Sequence, residues 1–157
     1  MKKSVLIIIG GIVSALLIGC NTTNERQAQQ LIENYYNAMK ERQYEIAFDQ
    51  LYIFDDHYTD GPSFLSEQEA KNLFNKKINI LEEQDYYIKD FEIVNVEYED
   101  GHSFWHHINI VVEQKGQRYE WEEVAQMYEG KLIVDGKNDP YVQYRNGQMN
   151  VNFEFES

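Results

Sequence analysis

Four polar residues are the side chains of this sequence best placed for chemistry, because each falls within an otherwise apolar pattern. They are Lys77, Asn95, His106 and Glu123. A two-residue hairpin register places His106 opposite Asn95 and diagonal to Glu123, within reach of its carboxylate. A carboxylate beside an imidazole can orient the ring and tune it as a general base. The amine of Lys77 could meet Glu123 in the same pocket, or could follow its own stem out to solvent.

This polar set has two interpretations. In one, His106 and Glu123 are the general acid and base of a catalytic pocket. In the other, they belong to a satisfied polar cluster at the open end of a core, or result from a misread register. The chain contains no Ser-His-Asp order, phosphate-binding glycine loop or zinc motif, and the acidic residues 55–60 lack the alternate spacing of a calcium loop. We therefore assign no catalytic residue and expect neither a metal nor a cofactor.

The elements that must position these residues begin with three amphipathic helices. Apolar residues recur at helical spacing from Ala28 to Met39, and again from Tyr44 to Tyr52. The stretch IFDDHYTDGPSFL follows and is typical of a loop, because it contains a Gly-Pro breaker. Ser66 and Glu69 then form a capping-box sequence, which predicts the start of a third helix.

The period changes to two in the second half, which predicts four antiparallel strands over 87–98, 103–113, 118–128 and 131–135. Asp-Gly, Lys-Gly and Glu-Gly pairs separate them and favour two-residue hairpin turns. The resulting registers pair Phe91 with Ile110, Ile93 with Ile108, Asn95 with His106, Ile110 with Trp121, Val112 with Tyr119, Ile108 with Glu123, Met127 with Leu132, and Ala125 with Val134. All of these residues share one face of the sheet, which the helices can cover.

The opposite sheet face is also partly apolar, with Val94, Trp105 and Val124 among its residues. Two alternating stretches, YVQYR and QMNVNFEF, flank Asn146-Gly147 and predict a carboxyl-terminal hairpin over 141–156. This hairpin offers an apolar side that could cover the second face. The alternative is that Trp105, Val94 and Val124 form an interface with a partner.

The order of elements resembles the NTF2-like superfamily, also called cystatin-like. The resemblance is carried by ENYYNAMKERQYEIAFDQLY and by the final-strand sequence GKLIVDG, and it covers about residues 25 to 136. It implies an α+β fold in which amino-terminal helices pack on a curved four-stranded antiparallel sheet to form a cone. The chain departs from the pattern in lacking a clear early strand pair and in adding the terminal hairpin. The superfamily includes enzymes, ligand binders and assembly modules, so the fold alone does not select a function.

The amino terminus carries the features of an export signal. Lys2 and Lys3 precede an apolar run over 5–18, which is shorter than the ~18 apolar residues of a spanning helix. The run ends in LIGC, which resembles the lipobox of bacterial lipoproteins and implies cleavage between Gly19 and Cys20 with diacylglycerol on the Cys20 thiol. The alternative is an ordinary signal peptide with a fortuitous cysteine. We expect a signal peptide over 1–19, a lipidated linker over 20–25 and one domain over 26–157.

Composition limits the partners of the mature chain. Without Lys2 and Lys3, the 14 basic residues fall to 12 against 27 acidic ones, so the net charge is 12 − 27 = −15. Such a surface does not favour nucleic acid, and anionic lipid repels it, so the Cys20 anchor would hold the protein at the membrane. The only cysteine is that anchor, which excludes a disulfide framework.

These observations predict a palmitate-bearing lipoprotein on the extracytoplasmic face of the cell membrane. We expect a non-enzymatic module that binds a ligand or an envelope protein. The alternatives are a small pocket enzyme of isomerase or dehydratase type that uses His106 and Glu123, and a docking protein for an envelope enzyme. The abundance of Lys, Asn, Ile, Glu and Tyr hints at an AT-rich genome and a Gram-positive host.

Overall fold

The computed structural model describes residues 23–99, 103–136 and 138–153. The export signal, the cleavage position at Gly19 and the lipidation position at Cys20 lie outside the described residues. The boundaries at 1–19 and 20–25 therefore stay predictions. Among the described residues, no helix combines the length and the apolar character that a membrane crossing requires.

Three α-helices occupy the first half of the described chain. They are α1 over 23–40, α2 at Tyr44–Gln50 and α3 at Glu67–Glu83. The capping box predicted before α3 is confirmed: Ser66 Oγ accepts the Glu69 N–H, and the Glu69 carboxylate accepts the Ser66 N–H at 2.9 Å. The predicted loop between α2 and α3 is also present, and it contains one 3₁₀ turn at Tyr58–Asp60.

The second half forms one antiparallel sheet in the order β1-β2-β3-β4. The strands are Tyr86–Glu99 (β1), Ser103–Gln114 (β2), Gln117–Tyr128 (β3) and Lys131–Gly136 (β4). In the β2–β3 and β3–β4 turns, both loop residues have positive φ, as a two-residue turn of type I′ requires. The predicted registers between β2 and β3 and between β3 and β4 are confirmed.

The register of β1 against β2 differs from the prediction near its hairpin. Glu99 pairs with Ser103. Three residues, 100–102, therefore connect the two paired positions, whereas the prediction had two; these three lie outside the described residues. A bulge at Val94 then absorbs the extra residue, so that Ile93 pairs with Ile108 as predicted. The predicted pairing of Asn95 with His106 is therefore wrong, because Asn95 pairs with His107.

The helices pack on one face of this open sheet, here called the inner face, and the α+β architecture is confirmed. Helix residues such as Ile32, Phe74 and Ile78 meet the inner face in one continuous core. The buried apolar and aromatic inner-face residues of the sheet are Tyr86, Ile88, Ile108, Ile110, Val112, Ala125, Leu132 and Val134. The segment after α2 runs beside β4, with Leu51 in a parallel bridge to Leu132.

The carboxyl-terminal segment does not form the predicted hairpin within the described residues. Val142–Tyr144 is a 3₁₀ turn, residues 149–153 have no strand, and 154–156 lie outside the described part. The segment is held by a bridge between Gln148 and Phe54, and Tyr144 and Met149 join the main core. Its described part therefore packs with the helices on the inner side and not on the opposite face.

Candidate functional site

Glu123 is the centre of a fully buried polar cluster on the inner face. Its position opposite Ile108 is the one that the turn residues predicted. The carboxylate accepts the phenol hydrogen of Tyr36 at 2.5 Å, and it forms a two-point ion pair with the Arg145 guanidinium, whose Nη1 lies 3.1 Å from Oε2. Both side chains of this ion pair are completely buried. Glu123 is thus paired within the chain itself.

Arg145 connects Glu123 to a second buried carboxylate. Its Nη2 also donates to Asp139 at 2.6 Å, and its Nε donates to the Tyr86 hydroxyl at 3.2 Å. That hydroxyl in turn donates to Asp139 at 2.5 Å. One guanidinium therefore serves two carboxylates, an arrangement that satisfies the rigid fork of donors on arginine.

Burial controls the protonation of the groups around this cluster. Loss of hydration raises the pKa of Tyr35, Tyr36 and Tyr86 above the usual tyrosine range, so all three stay neutral hydrogen-bond donors. Burial likewise raises the pKa of Asp139, against the opposing effect of its hydrogen bonds. The tyrosines thus act as fixed donors and have no available acid-base role near neutral pH.

Lys77 lies elsewhere in the core, and both predictions made for it are wrong. It neither meets Glu123 nor reaches solvent: it is fully buried, and its Nζ donates to the backbone carbonyls of Asn146 at 2.8 Å and Gln148 at 2.6 Å. Loss of hydration lowers the pKa of Lys77 to about 7. The amine therefore fixes the carboxyl-terminal segment to α3.

His106 is buried on the inner face, but it makes no hydrogen bond to Glu123. Neither ring nitrogen has a hydrogen-bond partner of good geometry among the described residues. Burial lowers the pKa of His106, and the carbonyls of Phe104 and Ala125 oppose this effect from nearby. The imidazole is therefore neutral at physiological pH, without a carboxylate that orients it.

Asn95, the fourth predicted residue, is exposed on the opposite face because the bulge at Val94 reverses its direction. The four residues consequently occupy separate environments and form no common pocket. The group that sequence reasoning missed is Arg145, which was assigned to a strand of the terminal hairpin. The available signal was the basic residue at the end of the alternating stretch YVQYR. If such a residue is buried, a buried carboxylate must neutralise its charge.

The interface candidates lie on the outer face, which we define as the sheet face opposite the helices. Val94 is 46% exposed, and Trp105 and Val124 are half-buried. Val111 lies on the same face of β2, beyond His107 and Asn109. We call Val94, Trp105, Val111 and Val124 the outer-face strip. The indole Nε1–H of Trp105 has no acceptor among the described residues.

Acidic residues surround the outer-face strip. Register places Glu97, Glu120, Glu122 and Asp135 on this face. His107 lies between two of these carboxylates, with its nitrogens 3.4 Å from Glu97 and 3.2 Å from Glu122. A small cavity of 180 Å³ is bordered by His107, Glu122, Val124, Asp135 and Asn138. The outer face is therefore mixed, with its apolar residues interspersed among polar and mostly acidic ones.

The acidic loop after α2 has structural hydrogen bonds. Asp55 accepts from Ser63 Oγ at 2.6 Å and from the Phe64 N–H, and Asp56 accepts from Asn150 Nδ2. Within the described ranges, no group of three His, Cys, Asp or Glu side chains has a geometry that could hold a metal ion.

Comparison with known proteins adds no relative to this description. No protein-family model matches the chain, and no curated protein matches it significantly.

Proposed function

We propose that this protein is a diacylglycerol-anchored, non-enzymatic interaction module of the extracytoplasmic membrane face. Its outer face binds a partner protein, and its domain is an NTF2-like cone filled by its own carboxyl-terminal segment. The observation that carries the proposal is the position of Arg145, which pairs with Glu123 on the inner face. Arg145 fills the predicted pocket, and the described part of the carboxyl-terminal segment leaves Val94 on the outer face exposed.

The pairing of Glu123 weakens the pocket-enzyme alternative. A general base needs a lone pair that reaches the proton of a substrate, and the Glu123 oxygens are occupied by Arg145 and Tyr36. His106 has no orienting carboxylate among the described residues. A buried ion pair whose polar atoms are satisfied internally is instead typical of a structural element.

The anchor is supported by the short distance between the lipobox sequence and the folded body. LIGC ends at Cys20, and the structure already describes α1 from residue 23. The first described residue of the body therefore follows the proposed lipid by only three positions. Two acyl chains at ~0.8 kcal/mol per buried methylene hold such a body stably.

The chemistry of the outer face indicates the type of partner. Apolar residues such as Val94 and Trp105, interspersed with carboxylates, fit a protein surface that presents both apolar and basic side chains. Such a partner lowers the repulsion among Glu97, Glu120 and Glu122 when it binds. We infer a basic envelope protein as the partner.

Metabolic labelling with palmitate tests the anchor. Wild-type protein is expected to carry the label and to have a mature amino terminus at Cys20, whereas Cys20→Ser remains unlabelled and unprocessed. Mass spectrometry of the amino-terminal peptide identifies the diacylglycerol thioether. An unlabelled wild-type protein with an intact signal peptide would contradict the anchor.

Photo-crosslinking from single positions tests the outer face. A benzophenone amino acid replaces Val94 in one variant and Asn72, an exposed residue of α3, in the matched control. We expect Val94 to give a discrete crosslinked protein that high salt diminishes and Asn72 to give none. Equal products from both positions, or none from Val94, would refute a partner on the outer face.

A further inference from the structure

We infer that the bilayer that holds the anchor also contacts the protein directly, at the end of the domain where α1 begins, through Phe64 and Tyr98. This inference rests on the proposed anchor at Cys20. It adds an orientation and a contact surface, which the anchor alone does not determine.

The direction of α1 identifies this end. At the carboxyl end of α1, Lys40 Nζ lies 3.0 Å from Asp90, whose strand partner is Val111, deep in β2. Earlier in the helix, the Tyr36 ring stacks on Phe91 at 5.1 Å, and just after the helix the Arg42 guanidinium lies 3.9 Å from the centre of the Tyr87 ring. The contacts of α1 therefore move backward along β1 as the helix proceeds. Helix α1 therefore runs in the same direction as β2, and its first turn lies beside the β1–β2 hairpin.

The covalent reach of the chain places this end at the membrane. Three peptide units separate Cys20 from Thr23, the first described residue of α1. Even fully extended, three residues span at most ~11 Å. The 18 described residues of α1 span ~27 Å, so the opposite end of the domain lies well beyond this reach. We call the end with the start of α1 the tether end.

Other connections meet at the tether end. In an antiparallel meander alternate turns lie on the same side, so the β3–β4 turn lies beside the β1–β2 hairpin. Lys131 follows that turn, and its amine hydrogen-bonds to the carbonyl of Asp49 near the end of α2. The start of α3 is close by, because Glu67 and Leu65 border the same 400 Å³ groove as Lys131.

The most exposed apolar side chain among the described residues is at this end. Phe64, just before α3, is 98% exposed, and its neighbour Leu65 is 38% exposed. Tyr98 is 47% exposed near the hairpin, where its ring packs against Phe104 at 4.8 Å. Tyrosine concentrates at membrane–water interfaces, where its ring meets lipid and its hydroxyl stays hydrated. Phenylalanine and leucine are among the side chains that interfacial segments bury at the headgroup boundary.

The expected contact is apolar and not electrostatic. Glu67 and Asp49 border the same groove as Leu65 at this end, and the whole chain is strongly acidic. Anionic headgroups therefore repel the tether end, and neutral phosphatidylcholine is the suitable test lipid. The contact adds orientation to a body that the acyl chains already hold.

Tryptophan quenching by brominated phosphatidylcholine tests the inference. Lipidated full-length mature protein is reconstituted in these vesicles after both native tryptophans have been replaced, as Trp105→Phe and Trp121→Phe. One variant then carries Phe64→Trp and its matched control carries Gln117→Trp, an exposed position at the opposite end. We expect bromine to quench Phe64→Trp several-fold more than Gln117→Trp, with a blue-shifted emission.

The outcomes separate this inference from the anchor. Equal quenching of the two reporters, or quenching of neither, in protein whose mass confirms the lipid on Cys20 would overturn the membrane contact and leave the anchor intact. Absence of lipid on Cys20 would overturn the anchor and also the proposed orientation, which depends on it. Cys20→Ser in a chain that begins at residue 20, and so lacks the signal segment, gives the unanchored baseline in the same vesicles.

The two native tryptophans give a second measurement if the double replacement does not fold. Trp105 lies near the hairpin at the tether end, and Trp121 pairs with Ile110 toward the opposite end. Trp121→Phe therefore reports from Trp105 alone, and Trp105→Phe from Trp121 alone. We expect stronger quenching of Trp105, and the reverse order would contradict the proposed orientation.

Discussion

Lys77 shows how one buried side chain makes folding depend on pH. Burial lowers its pKa from 10.5 to about 7. Between these values the unfolded chain binds a proton that the folded chain does not, so the free energy of unfolding rises with pH. From pH 6 to pH 9 we expect a gain of about 2–3 kcal/mol from this residue. Urea unfolding at several pH values across this window measures the gain.

Lys77→Met is the control for this pH dependence. The variant has no titrating amine, so its stability is expected to change much less between pH 6 and pH 9. The pKa values of Tyr36 and Tyr86 are raised in the folded chain, so these tyrosines lower the free energy of unfolding only where unfolded tyrosine ionises. That pH lies above the range from 6 to 9. Identical slopes for wild type and Lys77→Met would show that the buried amine does not titrate there.

Arg145 and Glu123 differ in what their removal leaves behind. Arg145→Met leaves the carboxylates of Glu123 and Asp139 buried without a cation, and we expect a loss of about 3–5 kcal/mol. Glu123→Gln leaves Arg145 paired with Asp139, so its loss should be smaller. Unfolding of both variants at neutral and acidic pH measures the order.

Acid is expected to reduce the cost of Arg145→Met, because protonation removes the uncompensated carboxylate charge. The same acid should do little for Glu123→Gln. If Glu123→Gln proved the more damaging change, the guanidinium would not be the residue that neutralises both carboxylates.

At the scale of elements, the carboxyl-terminal segment and the segment after α2 depend on a close backbone contact. A Cβ at Gly147 would overlap the carbonyl oxygen of Tyr52, which neither backbone can avoid without moving. Gly147→Ala should therefore cost about 1–3 kcal/mol and loosen both segments. Thermal unfolding measures the cost, and hydrogen exchange over 51–54 and 146–150 locates it.

Gly136→Ala is the matched control, since its Cβ would meet Glu123 and Val142 atoms at ordinary distances of 3.4–3.5 Å. We expect its stability to stay within about 0.5 kcal/mol of wild type. Equal effects of the two substitutions would indicate that the contact at Gly147 is not what holds the segments together.

The elements also show which parts of the fold the sequence determines locally. The capping box at Ser66 and the Lys115-Gly116 and Glu129-Gly130 turns were predictable, because each is decided by adjacent residues. Because the length of each turn sets the pairing of the strands it joins, the registers of β3 and β4 were predictable as well. The bulge at Val94 was not predictable, because it compensates for a β1–β2 connection that is one residue longer than the Asp-Gly pair indicates.

The candidate site was less predictable than the sheet, because it depends on contacts between distant segments. Glu123 was correctly placed on the inner face by register. Its partner Arg145 comes from a segment whose alternation and Asn-Gly pair favour a hairpin, whereas burial of Tyr144 and Met149 in the core determines its actual path. Periodicity describes a segment by itself, and it does not show which surface that segment covers.

At the scale of the whole molecule, the two proposed surfaces are compatible. The strands run between the tether end and the opposite end, so a bilayer at the tether end leaves the outer face directed sideways. The outer-face strip would then be available to a neighbouring envelope protein. The helices and the carboxyl-terminal segment occupy the other side of the sheet, where they complete the core.

The overall charge makes a further prediction about what holds the protein at a membrane. With 27 acidic residues, the body is repelled by anionic lipid, and Phe64 with Tyr98 is too small an apolar contact to offset this repulsion alone. Cys20→Ser in a chain that begins at residue 20, without the apolar run 5–18, should therefore stay in the supernatant when phosphatidylglycerol vesicles are sedimented, at low and at high salt. Lipidated wild type should pellet under both conditions, because salt does not weaken the burial of acyl chains. Pelleting of Cys20→Ser that high salt abolishes would mean that a basic surface, and not the lipid, binds the membrane.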